Sequence, residues 1–455
     1  MAKKYEVDMT KGAIMPLIIK FAVPVMLSSF LQLLYNAADM VVLGRFAHGE
    51  MGTLAQSAVG STGALVNLMV NLFMGLSVGA GIVCSQMYGA DRHKELRDTL
   101  HTSMALSAVS GLVMGAVGFF SARTLLTWMD TPAEVLDLAS LYVKIYSVGT
   151  PANLIFNFGA AILRSVGDTR RPMYILLTTG LVNVILNVIL VTQFGMTVDG
   201  VAWATVAAQV LSAAWVVALM VRSQGVAKMD WKALRFHKRP MLDVLRYGLP
   251  TGIQGMLFCL SNVIIQSAVN SLQAIVMAGN GVAGNIEAFI HCIMVSVYQA
   301  CLTATAQNCG AKDARRVKSI LLISLVLVAA IGLIGGNLVV LFGDKLARLY
   351  NDDPLVIAAA CDRLKVICGF YCICGMMDVL AGSLRGMGLS LGPMVVSVAT
   401  ACGLRIVWIY TVFTAWPTLY ALLLSYPVSW GLASVIHAGC FVVAWRKRKR
   451  LWATV

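Results

Sequence analysis

The chain has 455 residues, of which 59% are hydrophobic and only 12% are charged, and its mean hydropathy is +0.80. Soluble globular proteins carry roughly 25% charged residues, so this composition excludes that class. The apolar runs are unbroken and far longer than the roughly 10-residue segments of alternating polarity that form a membrane β-barrel. The composition therefore predicts an all-α polytopic membrane protein.

The apolar runs define the membrane spans in chain order. A spanning helix needs about 20 mostly apolar residues, and this chain contains enough of them for about twelve helices. The first run follows Lys20 and lacks a signal-peptide cleavage pattern, so we expect it to remain as a span. The predicted spans cover residues 15–42, 55–86, 97–120, 135–162, 172–194, 200–222, 241–268, 275–307, 318–342, 355–383, 393–414 and 423–445.

The net charge of +14 reflects the membrane topology of the chain and does not indicate nucleic-acid binding. Nucleic-acid binding needs basic residues gathered on one exposed face, whereas here they fall in short loops. Of the 35 Lys and Arg residues, 27 lie on the side that also holds both termini if the spans alternate. The positive-inside rule makes that side cytoplasmic, which predicts an even number of spans with both termini inside.

The second half of the chain repeats the first. Sliding the numbering by 226 matches four positions in one span, namely Met15 with Met241, Lys20 with Arg246, Pro24 with Pro250 and Asn36 with Asn262. Sliding it by 221 matches 86–90 with 307–311 and 163–173 with 384–394. Because each half holds six spans, both copies have the same orientation, and the repeat is parallel.

This organisation predicts three regions: an N-lobe at 1–225, a basic cytoplasmic linker at 226–240 and a C-lobe at 241–455. Transporters built from repeats hold their substrate between the two halves and expose it alternately to the two sides of the membrane. The sequence contains no Gly-Lys dipeptide and so no Walker A phosphate loop. We therefore predict secondary active transport without a cofactor, and not an enzyme.

The motifs, in this order and in two copies, resemble the prokaryotic multidrug and toxic compound extrusion (MATE) transporters. They are Pro24, the runs at 35–39 and 41–45, Gln-x-x-Gly-Ala at 86–90 and 307–311, Leu-Arg-x-x-Gly at 163–167 and 384–388, and the run at 200–205. The resemblance implies two six-helix lobes in the inner (cytoplasmic) membrane. It also implies export of small organic, often cationic, compounds in exchange for protons or sodium ions. We expect a monomer in the lipid bilayer and no nucleic-acid partner.

The deep acidic residues are functional candidates, because an ionisable group within a span is costly unless it is paired or protonated. The candidate in the N-lobe is Asp39. At about 1.5 Å per residue, Asp39, Asn183, Asn187 and Thr205 reach similar depths and are predicted to meet. Their oxygens suit a small hard cation, and the carboxylate alone can carry a proton. The alternative is a structural Asp39 that bonds to Asn36 or to the helix backbone.

The resemblance implies a role for the same residues. Related transporters form an ion site from an Asp on the first helix, an Asn and an Asp on the fifth and a Thr on the sixth. This chain departs from the pattern at Asn187, where some members have a second carboxylate. That departure favours a proton or weakens sodium binding. The shift of 226 places Ile265 opposite Asp39, so this acid belongs to one lobe alone.

In the C-lobe, Glu287 and His291 lie four residues apart and therefore on one helical face. The pair suits proton or substrate handling, and it equally suits helix packing. Asp378 and Arg405, on adjoining predicted spans, are expected to form an ion pair, which is structural in the simplest interpretation.

One other interpretation remains open. A lipid-linked oligosaccharide flippase of the same superfamily would need a basic stripe for pyrophosphate, and we find Arg405 and Lys144 as the basic residues within spans. A zinc site is not expected, because the cysteines at 368, 372 and 374 lack the spacing of a ligand set. We expect no metal beyond a sodium ion at Asp39.

Overall fold

The computed structural model describes residues 5–46, 50–129 and 131–453, and all regular elements within these ranges are helical. The all-α prediction is confirmed. Lys3 and Lys4, which were counted for the orientation, lie outside the described residues. For residues 44–46 and 50–53, which include part of the first-span motif, only the backbone is described.

Six long helices form the first half of the chain. They are α1 (Ile14–Phe46), α2 (Glu50–Gly89), α3 (His93–Trp128), α4 (Ala133–Ser165), α5 (Arg170–Thr192) and α6 (Val198–Arg222). A short 3₁₀ turn (Trp231–Ala233) lies in the hydrophilic stretch that precedes the second half. The N-cap of this turn is Asp230, whose carboxylate accepts a hydrogen bond from the Lys232 amide.

The second half contains α7 (Lys238–Asn270), α8 (Ala274–Gly310), α9 (Ala314–Ala347), α10 (Pro354–Gly369) and α11 (Tyr371–Gly386). A continuous helical segment follows, made of α12 (Leu391–Ser397), a π-helical stretch (Val398–Leu404), α13 (Arg405–Trp408) and a second π-helical stretch (Ile409–Phe413). The last helices are α14 (Leu419–Leu423) and α15 (Ser425–Ala453).

Helix length and composition support a polytopic protein. Within the described ranges, ten helical segments are long and apolar enough to cross a membrane, or eleven if α10 and α11 form one span with a 45° bend. Helix α4 occupies the place of the predicted fourth span but is not among them. It carries Asp137, Lys144, Asn153 and Asn157, which lower its hydropathy. The number of twelve spans and the orientation stay predictions.

Contacts divide the chain into two compact units. The first unit comprises Met1–Val7, Leu27–Tyr88 and Arg92–Gly252, and the second comprises Asp8–Met26, Gly89–Asp91 and Ile253–Val455. The lobe boundaries at 225 and 241 stay a prediction, since no observation tests them.

Close helix packing in the first unit depends on small residues. An added Cβ at Gly111 of α3 would lie 2.5 Å from the Pro151 Cα of α4, and one at Gly115 would lie 2.7 Å from the Ser147 carbonyl oxygen. Neither distance leaves room for a side chain, so glycine allows the two backbones to approach. The helices α2 to α6 then enclose a buried core that includes Leu100, Phe158 and Ile162.

In the second unit, glycines likewise allow α9 to pack closely against α11. An added Cβ at Gly332 would lie 2.5 Å from the Cys372 Cα, and one at Gly336 would lie 2.1 Å from the Cys368 carbonyl oxygen of α10. These glycines hold α9 tightly against the α10–α11 pair.

Backbone conformation repeats along the chain as the sequence motifs do. Asp91 and Lys312 both have positive φ angles, of 58° and 59°, and both follow the end of a long helix. Gly167 and Gly388 have φ angles of 85° and 79°. The numbers within each pair differ by 221, which is the shift that aligns the motifs. The two halves therefore share their turns as well as their helices.

Candidate functional sites

The first unit contains a cavity of about 510 Å³ that is lined by residues of α1, α2, α4, α5 and α6. Its α1 wall consists of Gln32, Tyr35, Asn36, Asp39 and Met40. Among the described residues, Asp39 is the one charged side chain in the lining. A cavity of this size is within the range of small-molecule sites, about 300–1,000 Å³.

Four polar side chains form a hydrogen-bonded chain at this cavity. The Asn187 amide nitrogen donates to Asp39 Oδ1 and to Asn183 Oδ1, the latter at 3.4 Å. The Asn183 amide nitrogen donates to Thr205 Oγ1, also at 3.4 Å. The structure thus brings together the four residues that sequence depth placed at one level, and the chain links α1, α5 and α6.

Asn187 is fully buried, and its Oδ1 atom has no hydrogen-bond partner among the described residues. Buried polar atoms normally have hydrogen-bond partners, so this oxygen, which belongs to the same amide group that donates to Asp39, is an available acceptor. Asn36 lines the same cavity, but no hydrogen bond joins it to Asp39 in the described part of the chain. The residue that holds Asp39 is Asn187.

The second unit contains a cavity of about 570 Å³ with different chemistry. Glu287 of α8 and Arg363 of α10 form a two-point ion pair in its wall. The Arg363 Nε and Nη2 atoms donate to Glu287 Oε1 and Oε2 at 2.7 and 2.8 Å. The Nη1 atom donates to Asn280 Oδ1. Parallel hydrogen bonds of this kind are the strongest geometry for a guanidinium and a carboxylate.

Sequence reasoning missed Arg363. Our interpretation that Arg405 and Lys144 are the basic residues within spans is wrong, because Arg363 and Lys365 both lie in α10. The repeat contained the signal. The shift of 221 aligns Arg363 with Tyr142 and Glu287 with Val66. The second half therefore has two opposite charges at positions where the first half has neutral residues.

The other C-lobe candidates also line this cavity. Glu287 and His291 share the α8 wall as predicted from their spacing, although the Glu287 carboxylate is paired with Arg363. Asp378 and Arg405 line it as well, but the expected ion pair between them does not form among the described contacts. The two residues lie on spans that are neighbours in the sequence, but this did not show in which direction each side chain points.

Arg405 is held by aromatic rings instead of a carboxylate. Its Nε atom donates to Ser429 Oγ at 2.9 Å. Its guanidinium carbon lies 4.1 Å from the ring centroid of Tyr426 and 5.9 Å from that of Trp430. Stacking on aromatic faces stabilises a guanidinium where water is scarce, which explains how Arg405 stays buried without an acidic partner.

A resident metal site is not evident. In the ranges that the structure describes, no group of three or more His, Cys, Asp or Glu side chains is arranged to hold a metal ion. The sodium ion expected at Asp39 stays a prediction, since its ligands would be amide and hydroxyl oxygens besides one carboxylate.

Comparison with known proteins gives the family. The MatE family model matches residues 24–189 and 250–411. The chain is 24% identical over 438 residues to the "Probable multidrug resistance protein YoeA" of Bacillus subtilis (strain 168), with 94% of each chain covered. It is 22% identical over 376 residues to an "FAD transporter" of Shewanella oneidensis, with 79% of this chain and 81% of the relative covered.

The fold is shared with solved structures. The chain matches a structure described as an outward-facing conformation of a multidrug resistance MATE family transporter of the MOP superfamily, with a TM-score of 0.88, 19% identity and 99% of both chains covered. The two matched segments of the family model fall in the two halves of the repeat and together cover most of the chain. This protein therefore belongs to the MatE family, the multidrug and toxic compound extrusion transporters.

Proposed function

We propose that this protein exports small organic cations across the inner (cytoplasmic) membrane in exchange for protons or sodium ions, by alternating access. The observation that carries the proposal is the hydrogen-bonded chain Asp39–Asn187–Asn183–Thr205, of which Asp39, Asn183 and Thr205 line the first cavity. The resemblance of the sequence and the multidrug resistance name of the YoeA relative support it.

A single carboxylate in this position explains how two ions exchange. An ionised acid at membrane depth is costly, so Asp39 favours a bound proton, a bound metal cation or a nearby organic cation. Only one of these positive charges is needed to neutralise it. A coupling ion that binds Asp39 therefore displaces an organic cation from the same cavity, and the two cross the membrane in opposite directions.

The proton is the coupling ion that this donor set favours. The Asn187 amide donates to Asp39. The family resemblance implies that this amide stands where some members have a second carboxylate. The site thus has one negative charge, and a sodium ion would have to displace the hydrogen bonds that now join the amides. Protonation needs only the Asp39 carboxylate.

The test is transport of ethidium, a fluorescent organic cation, by the full-length protein in proteoliposomes. A proton gradient and a sodium gradient are imposed separately, and wild type is compared with Asp39→Asn. We expect the wild type to respond to the proton gradient and the variant to lose at least about tenfold of the coupled rate. The matched control is Asp137→Asn, because Asp137 is 77% exposed and pairs with Arg123 at the surface.

Transport by Asp39→Asn at the wild-type rate would remove the site from the mechanism. Failure of both gradients to move ethidium through correctly folded wild type would contradict cation antiport. Lipid-linked substrates would then be the next class to test. The flippase alternative is the weaker one, because Glu287 neutralises Arg363 and the second cavity therefore lacks a basic stripe.

A further inference from the structure

A cluster of three side chains lies outside both cavities, near the start of α9 and the end of α15. It consists of Lys318, Trp445 and Lys449, and we call it the Trp445 cluster. Lys318 begins the predicted span 318–342, and Trp445 ends the predicted span 423–445. The sequence therefore places the cluster at a membrane–water interface, where tryptophan is enriched.

The two helices are joined at this cluster within the second unit. The Trp445 indole nitrogen of α15 donates a hydrogen bond to the Ala314 carbonyl oxygen of α9 at 2.7 Å. Lys318 lies four residues beyond Ala314 and Lys449 four residues beyond Trp445, so each lysine lies one turn farther along the same helical face. Their Nζ atoms lie 5.5 and 5.4 Å from the Trp445 ring centroid. Two ammonium groups from different helices thus converge on one ring.

The protein does not neutralise these two ammonium groups. Both lysines are exposed, and no Asp or Glu of the described residues forms an ion pair with either. The segments 312–318 and 445–450 contain nine basic residues and one acidic residue, Asp313. The Asp313 carboxylate caps α9 by accepting a hydrogen bond from the Arg316 amide. Like charges near one ring repel each other, so an anion bound there lowers their energy.

Exposed apolar side chains lead away from the cluster along both helices. On α9, Leu322 and Val326 follow the lysine at intervals of four residues, and both are exposed. On α15, Val442 and Val435 precede the other lysine at intervals of seven residues, about two turns, and both are exposed. A free phosphate ion leaves these surfaces uncovered, whereas the acyl chains of a lipid cover them.

The first unit shares the charges of the cluster but not its ring. The shift of 221 aligns the two lysines with Arg97 and Lys228, and it aligns the tryptophan with Gln224. Two basic residues are therefore common to both units, whereas the aromatic side chain that they approach belongs to the second. The first unit thus supplies matched controls.

We propose that the Trp445 cluster binds the phosphate group of an anionic phospholipid, whose acyl chains lie along the exposed apolar residues of α9 and α15. The ammonium groups donate charge-assisted hydrogen bonds to the phosphate oxygens from both helices at once. A zwitterionic headgroup brings its own positive charge, so the site prefers an anionic one. This site goes beyond the proposed function, because the cluster lines neither cavity and uses neither Asp39 nor a coupling ion.

The test is lipid binding to the purified full-length protein in maltoside detergent, measured by native mass spectrometry. Dioleoyl phosphatidylglycerol and dioleoyl phosphatidylcholine have the same acyl chains but differ in headgroup charge. We expect the wild type to bind phosphatidylglycerol at least about fivefold more tightly. In Lys318→Gln/Lys449→Gln, phosphatidylglycerol should bind at least about tenfold more weakly, and phosphatidylcholine within about twofold of wild type. Both substituted side chains are exposed, so folding is not at risk.

Two further variants separate a specific site from general attraction between charges. Arg97→Gln/Lys228→Gln removes the same charge at the equivalent positions of the first unit and should leave phosphatidylglycerol binding within about twofold of wild type. Trp445→Gln installs the residue of the first unit and should weaken binding by at least about threefold. Equal weakening by the two double variants, or equal binding of the two lipids to the wild type, would overturn the proposal.

Competition separates a lipid from a soluble phosphate. Glycerol 3-phosphate carries the same phosphate group without acyl chains, and we expect it to leave phosphatidylglycerol bound. Displacement by glycerol 3-phosphate would assign the cluster to soluble phosphates and contradict a lipid site. Asp39→Asn should bind phosphatidylglycerol as the wild type does, so failure of cation antiport and failure of this site are distinguishable.

Discussion

The two cavities occupy equivalent positions of a duplicated scaffold but differ in chemistry. The repeat aligns lining residues in pairs: Asp39 with Ile265, Val66 with Glu287, Tyr142 with Arg363, Asn157 with Asp378, and Thr205 with Tyr426. The first cavity has one acid among neutral polar groups. The second has the Glu287–Arg363 ion pair and, besides it, Asp378, His291 and Arg405. The repeat preserved the position of the cavity, while different residues at a few positions changed its chemistry.

The two cavities also differ in the length and charge of their hydrogen bonds. The amide contacts near Asp39 are 3.4 Å long at two of three links, and each joins neutral groups. The Glu287–Arg363 contacts are 2.7 and 2.8 Å and join opposite charges. We therefore expect the two amide contacts at 3.4 Å to rearrange more easily when a proton or cation arrives at Asp39 than the paired guanidinium and carboxylate do.

Moving the acid between the cavities should give the largest effect. We expect the double variant Asp39→Ile/Ile265→Asp to lose coupled ethidium transport by at least about tenfold, as Asp39→Asn does. The reason is that the repeat places Leu404 and Trp408 where the first unit has Asn183 and Asn187, so the two amides that join Asp39 to Thr205 have no counterpart at those positions. Proteoliposome transport measures this. Full activity of the double variant would mean that the amides are dispensable.

Breaking the ion pair should have the next largest effect, on stability. Glu287→Gln leaves the guanidinium of Arg363 buried without a countercharge, since the two side chains are only 8% and 13% exposed. Removal of one partner of a buried pair costs about 3–5 kcal/mol. Thermal unfolding of the detergent-solubilised protein measures this as a lower midpoint.

The repeat suggests a double variant that should recover the stability lost in Glu287→Gln. Glu287→Val/Arg363→Tyr installs the residues that the first unit carries at these positions, and it leaves no isolated charge. We expect the double variant to unfold at a higher temperature than Glu287→Gln. A double variant that is less stable than the single one would show that the second cavity needs the pair for more than charge balance.

The smallest effect is expected from Asn36→Ala. Asn36 lines the first cavity beside Asp39, but it is exposed and forms no hydrogen bond with Asp39 among the described contacts. Coupled transport should fall by less than about threefold, well short of the loss in Asp39→Asn. Initial rates at several ethidium concentrations distinguish a weaker apparent affinity from a lower maximal rate. A loss as large as that of Asp39→Asn would place Asn36 in the ion site itself.

The sequence predicted the fold class and the neighbourhood of Asp39 for physical reasons. A run of apolar residues longer than 20 has few stable forms in a bilayer other than a helix. Depth along a straight helix follows from residue count, which is how residues on three helices were assigned to one level. The same reasoning gave no rotation about the helix axis, so it did not reveal that Asn187 rather than Asn36 binds Asp39.

The second cavity was predicted less well. Arg363 was overlooked because it lies near the start of a span that breaks in the middle, and hydropathy does not register such a break. The partner expected for Arg405 was an acid, whereas the structure places Tyr426 and Trp430 against it. Aromatic residues are common in apolar runs, so their role as partners of a cation depends on rotamers and helix rotations that no sequence pattern encodes.

The break between α10 and α11 has a consequence for how the chain is inserted into the membrane during synthesis. Each of the two helices has 16 residues, about 24 Å, which is shorter than the hydrocarbon core of about 30 Å. If the two helices form one span with a 45° bend, the pair crosses the bilayer only as one piece, and it carries Arg363 with it. Glu287 precedes Arg363 in the chain and emerges first from the ribosome. The order of synthesis therefore places the counter-ion in the membrane before the cation that needs it arrives.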